Sequence, residues 1–283
     1  MGVVGAMGQQ HRHTGRAAGA ATVAAAGLMA LVTGCSGGGA AASDDPAAAD
    51  PVGAVREAAD SPERADSARV RTSMEMASGG TRVTVTGRGG YDFRRRLGRF
   101  DVVLPEDPAG TRGKHKPPVT ELMAGGDLYM KNRGAGVPAD KWVRIEPASL
   151  SDGNLVTGGA TDPLVAAELL RGARRVTYVE RTRVAGVDVA HYRGVIDLAR
   201  AARSASKEHA PALRSALAKG FSKGRVPFDA YLDEQGRLRK VRHQFKVANA
   251  AVASTTSLYA FGTRVDVRLP ADKDIFAGKI AER

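Results

Sequence analysis

From residue 68 onward the chain keeps a period of two: β-branched or aromatic side chains alternate with Arg, Thr, Lys or Glu between Gly and Pro breaks. In a strand successive side chains point to opposite faces, so this pattern predicts half-buried antiparallel strands with one apolar and one wet face. The clearest hairpin joins residues 70–76 to 81–86 across Gly79-Gly80, where glycine supplies the positive φ of a tight turn. Further strands are expected at 91–95, 99–104, 119–124, 127–131 and 141–145, then at 174–181, 187–197, 227–233, 237–247, 255–261 and 263–269.

Helix signals interrupt the strands. Asp50-Pro51 and Asp162-Pro163 each place a capping carboxylate before a proline that needs no N–H in the first helical turn. Gly172 closes the second of these helices, and a third helical region spans 198–219, kinked or split at Pro211. With 43% apolar and 25% charged residues the chain can bury a core, which excludes wholesale disorder. Its single cysteine excludes an internal disulfide, and no Cys/His cluster has zinc spacing; no metal and no cofactor are expected. The folded part, 51–283, shows neither an internal repeat nor a second linker and reads as one α+β domain.

The first fifty residues have a different character. His11, Arg12, His13 and Arg16 precede an uncharged Ala/Gly/Val/Leu stretch over 17–31, the pattern of a secretory leader. It ends in Val32-Thr33-Gly34-Cys35, which looks like a bacterial lipobox, with Cys35 the acylated residue and 1–34 the signal peptide. An ordinary leader with a chance cysteine, or an anchor helix, are the other readings of these residues. Several acyl chains on Cys35 would suffice for stable anchoring, because each buried methylene contributes about 0.8 kcal/mol. Residues 35–50 then form a lipidated flexible tether, with no large apolar side chain over 36–50 and a reach on the order of 20 Å. Removing 1–34 takes away two arginines and no acid, so the formal charge falls from +12 to +10. A basic exported chain meets anionic headgroups and wall polymers, not nucleic acid, although scattered arginines also read as a solvated surface.

The lipobox, tether, helix and successive hairpins are followed by Val184-Ala185-Gly186-Val187-Asp188-Val189-Ala190-His191-Tyr192-Arg193-Gly194-Val195-Ile196-Asp197 before a helix. Later comes Pro227-Phe228-Asp229-Ala230-Tyr231-Leu232-Asp233. This order resembles the LppX/LprAFG family of actinobacterial lipoproteins. The resemblance implies a LolA/LppX-like fold: a large curved antiparallel β-sheet, or half-barrel, with helices packed on its concave face and lipid acyl chains between the layers. It also implies a location on the outer face of the cytoplasmic membrane.

Alternation nominates the residues that would line such a space: Met74, Met76, Val83, Val85, Leu128, Met130, Trp142, Tyr192, Ile196, Phe228, Leu232 and Phe245, together with Val70 and Val241. Met74, Met76, Met123 and Met130 are noted separately, since thioethers adapt to irregular apolar shapes. Plain core packing is the commoner explanation for any one of them. Arg112, Lys114, His115 and Lys116, in the loop 105–118, would suit a phosphate headgroup or simply solvent.

Enzymatic motifs fail on context. Gly34-Cys35-Ser36-Gly37-Gly38 fits a nucleophile elbow but lies between leader and tether, and Gly134-Ala135-Gly136-Val137-Pro138-Ala139 lacks the helix a dinucleotide loop requires. His115, His191, His209 and His243 are widely spaced, and Glu168, Asp188, Asp197 and Asp229 could meet only through folding. The expected function is therefore non-enzymatic: binding and carrying lipid or lipoglycan acyl chains, with an envelope transporter or membrane protein as a further partner. The alternatives are an envelope sensor that uses the same fold to bind a protein, and a hydrolase of wall or lipid substrates.

Overall fold

Two proline-primed helices and an alternating chain settle the architecture. The computed structural model describes residues 45–104, 118–131, 137–156, 162–247 and 250–276. The lipobox with Cys35, most of the tether, and the basic loop residues Arg112, Lys114, His115 and Lys116 lie outside the described residues. Helix α1 (Pro51–Glu57) starts as its sequence dictates: the Asp50 carboxylate accepts the Gly53 N–H at 2.8 Å, and Pro51 occupies the first turn. It continues through a 3-10 turn, Ala58–Asp60, into α2 (Ser61–Arg64). Asp162 caps α3 (Pro163–Glu168) in the same way, accepting Leu164 N–H at 2.7 Å.

The region 198–219 forms two helices rather than one kinked helix. They are α4 (Leu198–Ser204), capped by Asp197, and α5 (Ala210–Ala218). The break precedes Pro211, which sits in the first turn of α5, where a missing N–H leaves no hydrogen bond unmade.

Eleven strands build one open antiparallel sheet. They are β1 (Ser67–Ser78), β2 (Thr81–Asp92), β3 (Leu97–Val103), β4 (Val119–Ala124), β5 (Asp127–Lys131), β6 (Trp142–Ile145), β7 (Ala173–Val184), β8 (Val187–Asp197), β9 (Arg225–Asp233), β10 (Leu238–Val247) and β11 (Ala250–Tyr259). The spatial order is β6-β5-β4-β3-β2-β1-β11-β10-β9-β8-β7, two meanders joined where the first strand pairs with the last. The fold class is thus the expected one, α+β with a large open antiparallel sheet of the half-barrel kind and helices on its apolar face. The β1–β2 hairpin runs in register from Ser67↔Asp92 to Ser78↔Thr81, turning at Gly79 and Gly80 with φ of 54° and 82°.

Three expectations need correction. Residues 91–95 are not a separate strand: β2 runs on to Asp92, and the turn follows, with Arg96 at a φ of 54°. Residues 263–269 alternate but form no strand, because the chain turns at Ala260 and Gly262 and leaves the ladder. That segment crosses the other face instead, where the Val265 side chain fills the space a Cβ on Gly90 would need and Thr263 C=O accepts from Ser67 Oγ at 2.7 Å. Finally, the tether does not stay free as far as Asp50: Pro46–Ala48 is a 3-10 turn seated on the sheet. Its Asp45 carboxylate accepts from Tyr178 Oη at 2.6 Å and Arg181 Nε at 2.8 Å.

One apolar cluster unites the layers. Leu164, Leu169 and Leu170 of the α3 region, Leu198 of α4 and Leu213 of α5 join Val70, Phe100, Phe228 and Phe245 of the sheet. Each such side chain contributes roughly 1.5–3 kcal/mol on full burial. Among the described residues no helix is long and apolar enough to cross a membrane.

Candidate functional site

Strand register decides which side chains share the apolar face. Met74 stands opposite Val85, Met76 opposite Val83 and Val252, and Phe245 opposite Val252. On the far side of the sheet Met130 pairs with Val143 and Leu128 with Ile145; on the near side Ile196 pairs with Val226 and Leu232 with Ala190. Thirteen of the fourteen nominated residues therefore lie on one face. Trp142 is the exception: it pairs with Lys131, one step out of phase with Met130 and Val143, and its ring takes the Lys131 ammonium at 5.7 Å. A one-residue offset turns a strand side chain to the opposite face, and in the four-residue β6 it is Val143 and Ile145 that point inward.

The face is deeply buried at Met74, Leu128, Met130, Tyr192, Ile196, Phe228, Leu232 and Phe245, and half-buried at Met76, Val83 and Val85 toward the β1–β2 tip. Gly194 allows the tight packing at Phe228, since a Cβ there would lie 2.9 Å from the ring.

Polar side chains interrupt this face in one band across β1, β11 and β10. Thr72 pairs with Thr256, Thr256 with Val241, and Ser254 with both Met74 and His243. All four polar residues are buried; Thr72 Oγ1 and His243 Nε2 have no hydrogen-bond partner among the described residues. Burial drives the His243 imidazole down to a pKa of about 3, so it is neutral at pH 7. Farther along, Glu121 is fully buried between Phe100 and Met130 on the same face. The signal for it was legible: Glu121 holds an inward phase in Val119–Ala124.

Two histidines that the sequence leaves isolated meet carboxylates. On the outer face His191 Nε2 lies 2.8 Å from Asp229 Oδ1, with its ring stacked on Tyr231 and Arg193 Nε donating to the same oxygen at 2.9 Å. Among the helices His209 Nδ1 lies 3.4 Å from Glu168 and 3.2 Å from Ser206 Oγ, and its Nε2 is 3.8 Å from Asp162. Burial pulls the His209 pKa down, but the Glu168 hydrogen bond and the charges of Asp162 and Glu168 outweigh it and leave the group above its ordinary value. Ser206 Oγ also accepts the His209 N–H, so this Ser–His pair belongs to the break between α4 and α5. The cavity beside it, about 30 Å³, is of the size that holds water, whereas small-molecule sites occupy roughly 300–1,000 Å³. Among the described residues no group of His, Cys, Asp and Glu is arranged to hold a metal.

Two of the larger hollows lie against the sheet, one on each face. One, about 290 Å³, lies between α1, the 46–48 turn and the ends of β8 and β9, and reaches Tyr192 and Leu232. Tyr192 Oη donates to Ala47 C=O across it at 3.1 Å. The other, about 450 Å³, lies on the outer face where β9 and β10 part, among the outward-phase Glu75, Arg82, Arg242 and Lys246, and meets the buried Phe245 and Val252 between the strands.

No family model and no curated protein matches the chain. Among solved structures it is similar to the lipoprotein LppX of Mycobacterium tuberculosis, at 12% identity and a TM-score of 0.48, over 79% of this chain and 100% of that one. It is also similar to LprF of Mycobacterium bovis, at 15% identity and a TM-score of 0.39, over 77% and 97%. The MucA/MucB complex of Pseudomonas aeruginosa aligns at 11% identity and a TM-score of 0.32, over 82% of this chain and 64% of that one.

Proposed function

We propose that this chain is an exported, lipid-anchored protein whose apolar sheet face receives acyl chains, so that it carries or presents lipid in the cell envelope without catalysing a reaction. The observation that carries this reading is the open, eleven-stranded sheet with a continuous apolar face, together with the 290 Å³ hollow that reaches Tyr192 and Leu232 on that face. An acyl chain there gains about 0.8 kcal/mol per buried methylene, so one long chain binds firmly without a polar anchor. The buried Thr72 and His243 atoms without partners add hydrogen-bonding capacity within that face, suited to an ester or hydroxyl of the lipid. Cys35 supplies the anchor in this reading.

The test is mass spectrometry of organic extracts from the full chain purified from its native envelope. Stoichiometric diacyl or triacyl lipid is expected. Met130→Arg, which sets a charge in the face, should strip it, and Met76→Arg, at a half-buried position that tolerates polarity better, should lower it several-fold while the fold persists. A lipid-free wild-type chain of normal stability would end the carrier reading and favour partner binding.

A further inference from the structure

The β9–β10 ladder stops early. Its last pair is His243↔Phe228, although β9 stays paired with β8 as far as Arg225 and β10 with β11 as far as Val247. Two features keep the strands apart. Pro227 has no N–H to offer, and the turn Phe221–Gly224 wedges in beside β10: Ser222 Oγ accepts the Lys246 N–H at 3.2 Å and donates to Arg225 C=O at 3.3 Å. Ser222 and Lys223 hold φ of 50° and 49°, a left-handed conformation that residues with a side chain adopt rarely, and Lys223 stands exposed at the mouth.

The resulting groove of about 450 Å³, on the outer face of the sheet, has an apolar floor of Ala77, Pro227, Ala251 and Ala253. Its rim carries Arg82, Lys223, Arg225, Arg242 and Lys246 against one acid, Glu75. None of the five cations has an ion-pair partner among the described residues. A neighbouring hollow of about 410 Å³ shares Lys223 and Arg225 and adds Arg175, along with Arg174 in an ion pair with Asp197 at 3.4 Å.

We propose that this opening seats the phosphate-bearing headgroup of an anionic phospholipid, with the guanidinium and ammonium groups on the phosphate and the first methylenes on the floor. The assignment rests on the lipid-carrier reading and adds to it the headgroup class and the place of docking. An unpaired cationic rim alone would suit any anion, but a free phosphate has no use for an apolar floor.

The test uses the full chain with Cys35→Ser, so that no acyl anchor contributes, and compares vesicles of phosphatidylcholine alone with vesicles carrying 30% phosphatidylglycerol, about the mixture at which a surface turns distinctly negative. Wild type should prefer the anionic vesicles by about tenfold or more, since each Lys or Arg near such a surface contributes roughly a factor of five. Arg82→Glu with Arg225→Glu should erase the preference. Lys223→Gln with Arg242→Gln, which adds no repulsion, should lower it less. The exposed pair Arg88→Glu with Arg95→Glu, away from the groove, carries the same charge change and should keep most of it. Survival of the preference in the groove variants, or equal loss in the distant pair, overturns the proposal. Displacement from vesicles by inorganic phosphate at the lipid-phosphate concentration overturns it in favour of a free-anion site. Lipid extraction of the same proteins separates the two readings: a chain that never carries lipid ends the carrier reading yet leaves the vesicle comparison to stand or fall alone.

Discussion

His243 shows how one buried side chain makes a fold sensitive to acid. Unfolded, its imidazole takes up a proton near pH 6.5; folded and buried, it stays neutral down to about 3. Between those values the unfolded state binds the extra proton, so stability falls as pH drops, with a slope near 1.4 kcal/mol per pH unit, and it changes no further from this group below the folded value. His243→Leu should remove that slope. It should also relieve the orphaned Nε2, raising stability at pH 7 by up to ~1 kcal/mol. Urea unfolding midpoints at pH 4 and pH 7 decide the matter: a variant with the wild-type difference between the two would contradict it. If lipid contacts Nε2, the same variant also loses cargo, which gives the imidazole a role beyond packing.

At the scale of elements, what was legible and what was not have distinct physical causes. The β1–β2 hairpin and the proline-primed helix starts follow from local chemistry, Gly79-Gly80 in one case and the Asp50 and Asp162 carboxylates in the other, and both stand as read. Alternation and the observed register agree on which face thirteen of the fourteen nominated side chains share, because period and register leave little choice once strands pair. It failed at Trp142, where a four-residue strand gives too few turns of the pattern to fix its phase. It failed again at residues 263–269, whose alternation is real but whose ladder partner is already taken: both edges of β1 are occupied by β2 and β11. The groove at β9–β10 was invisible for another reason, since it depends on the turn that precedes β9 folding back against β10, the other strand of the same hairpin. Residues 45–50, assigned to the tether by composition, are held by a few polar contacts that composition cannot reveal. Asp45→Ala removes the acceptor for both Tyr178 and Arg181, and limited proteolysis should then cut N-terminal to Pro51 faster than in wild type, with the rest of the domain equally resistant. Unchanged cleavage would show that the 46–48 turn is held without this carboxylate.

The molecule as a whole is two meanders meeting at one seam. One half runs from β1 out to β6 and the other from β7 back to β11, each built from neighbours in sequence that pair with little loop-closure cost. The seam, Arg69↔Tyr259 through Ala77↔Ala251, joins residues at opposite ends of the domain, and such long-range pairings form late. In pulse-labelled refolding read by mass spectrometry, the β1 amides that face β11 should gain protection no earlier than β10 and β11 do. Protection of those amides while β11 still exchanges freely would rule this order out. The arrangement has a consequence for biogenesis. Because nine strands are made between the strand at the centre of the sheet and its partner β11, the seam stays unclasped while the intervening strands are delivered, and the sheet locks only on the arrival of β11.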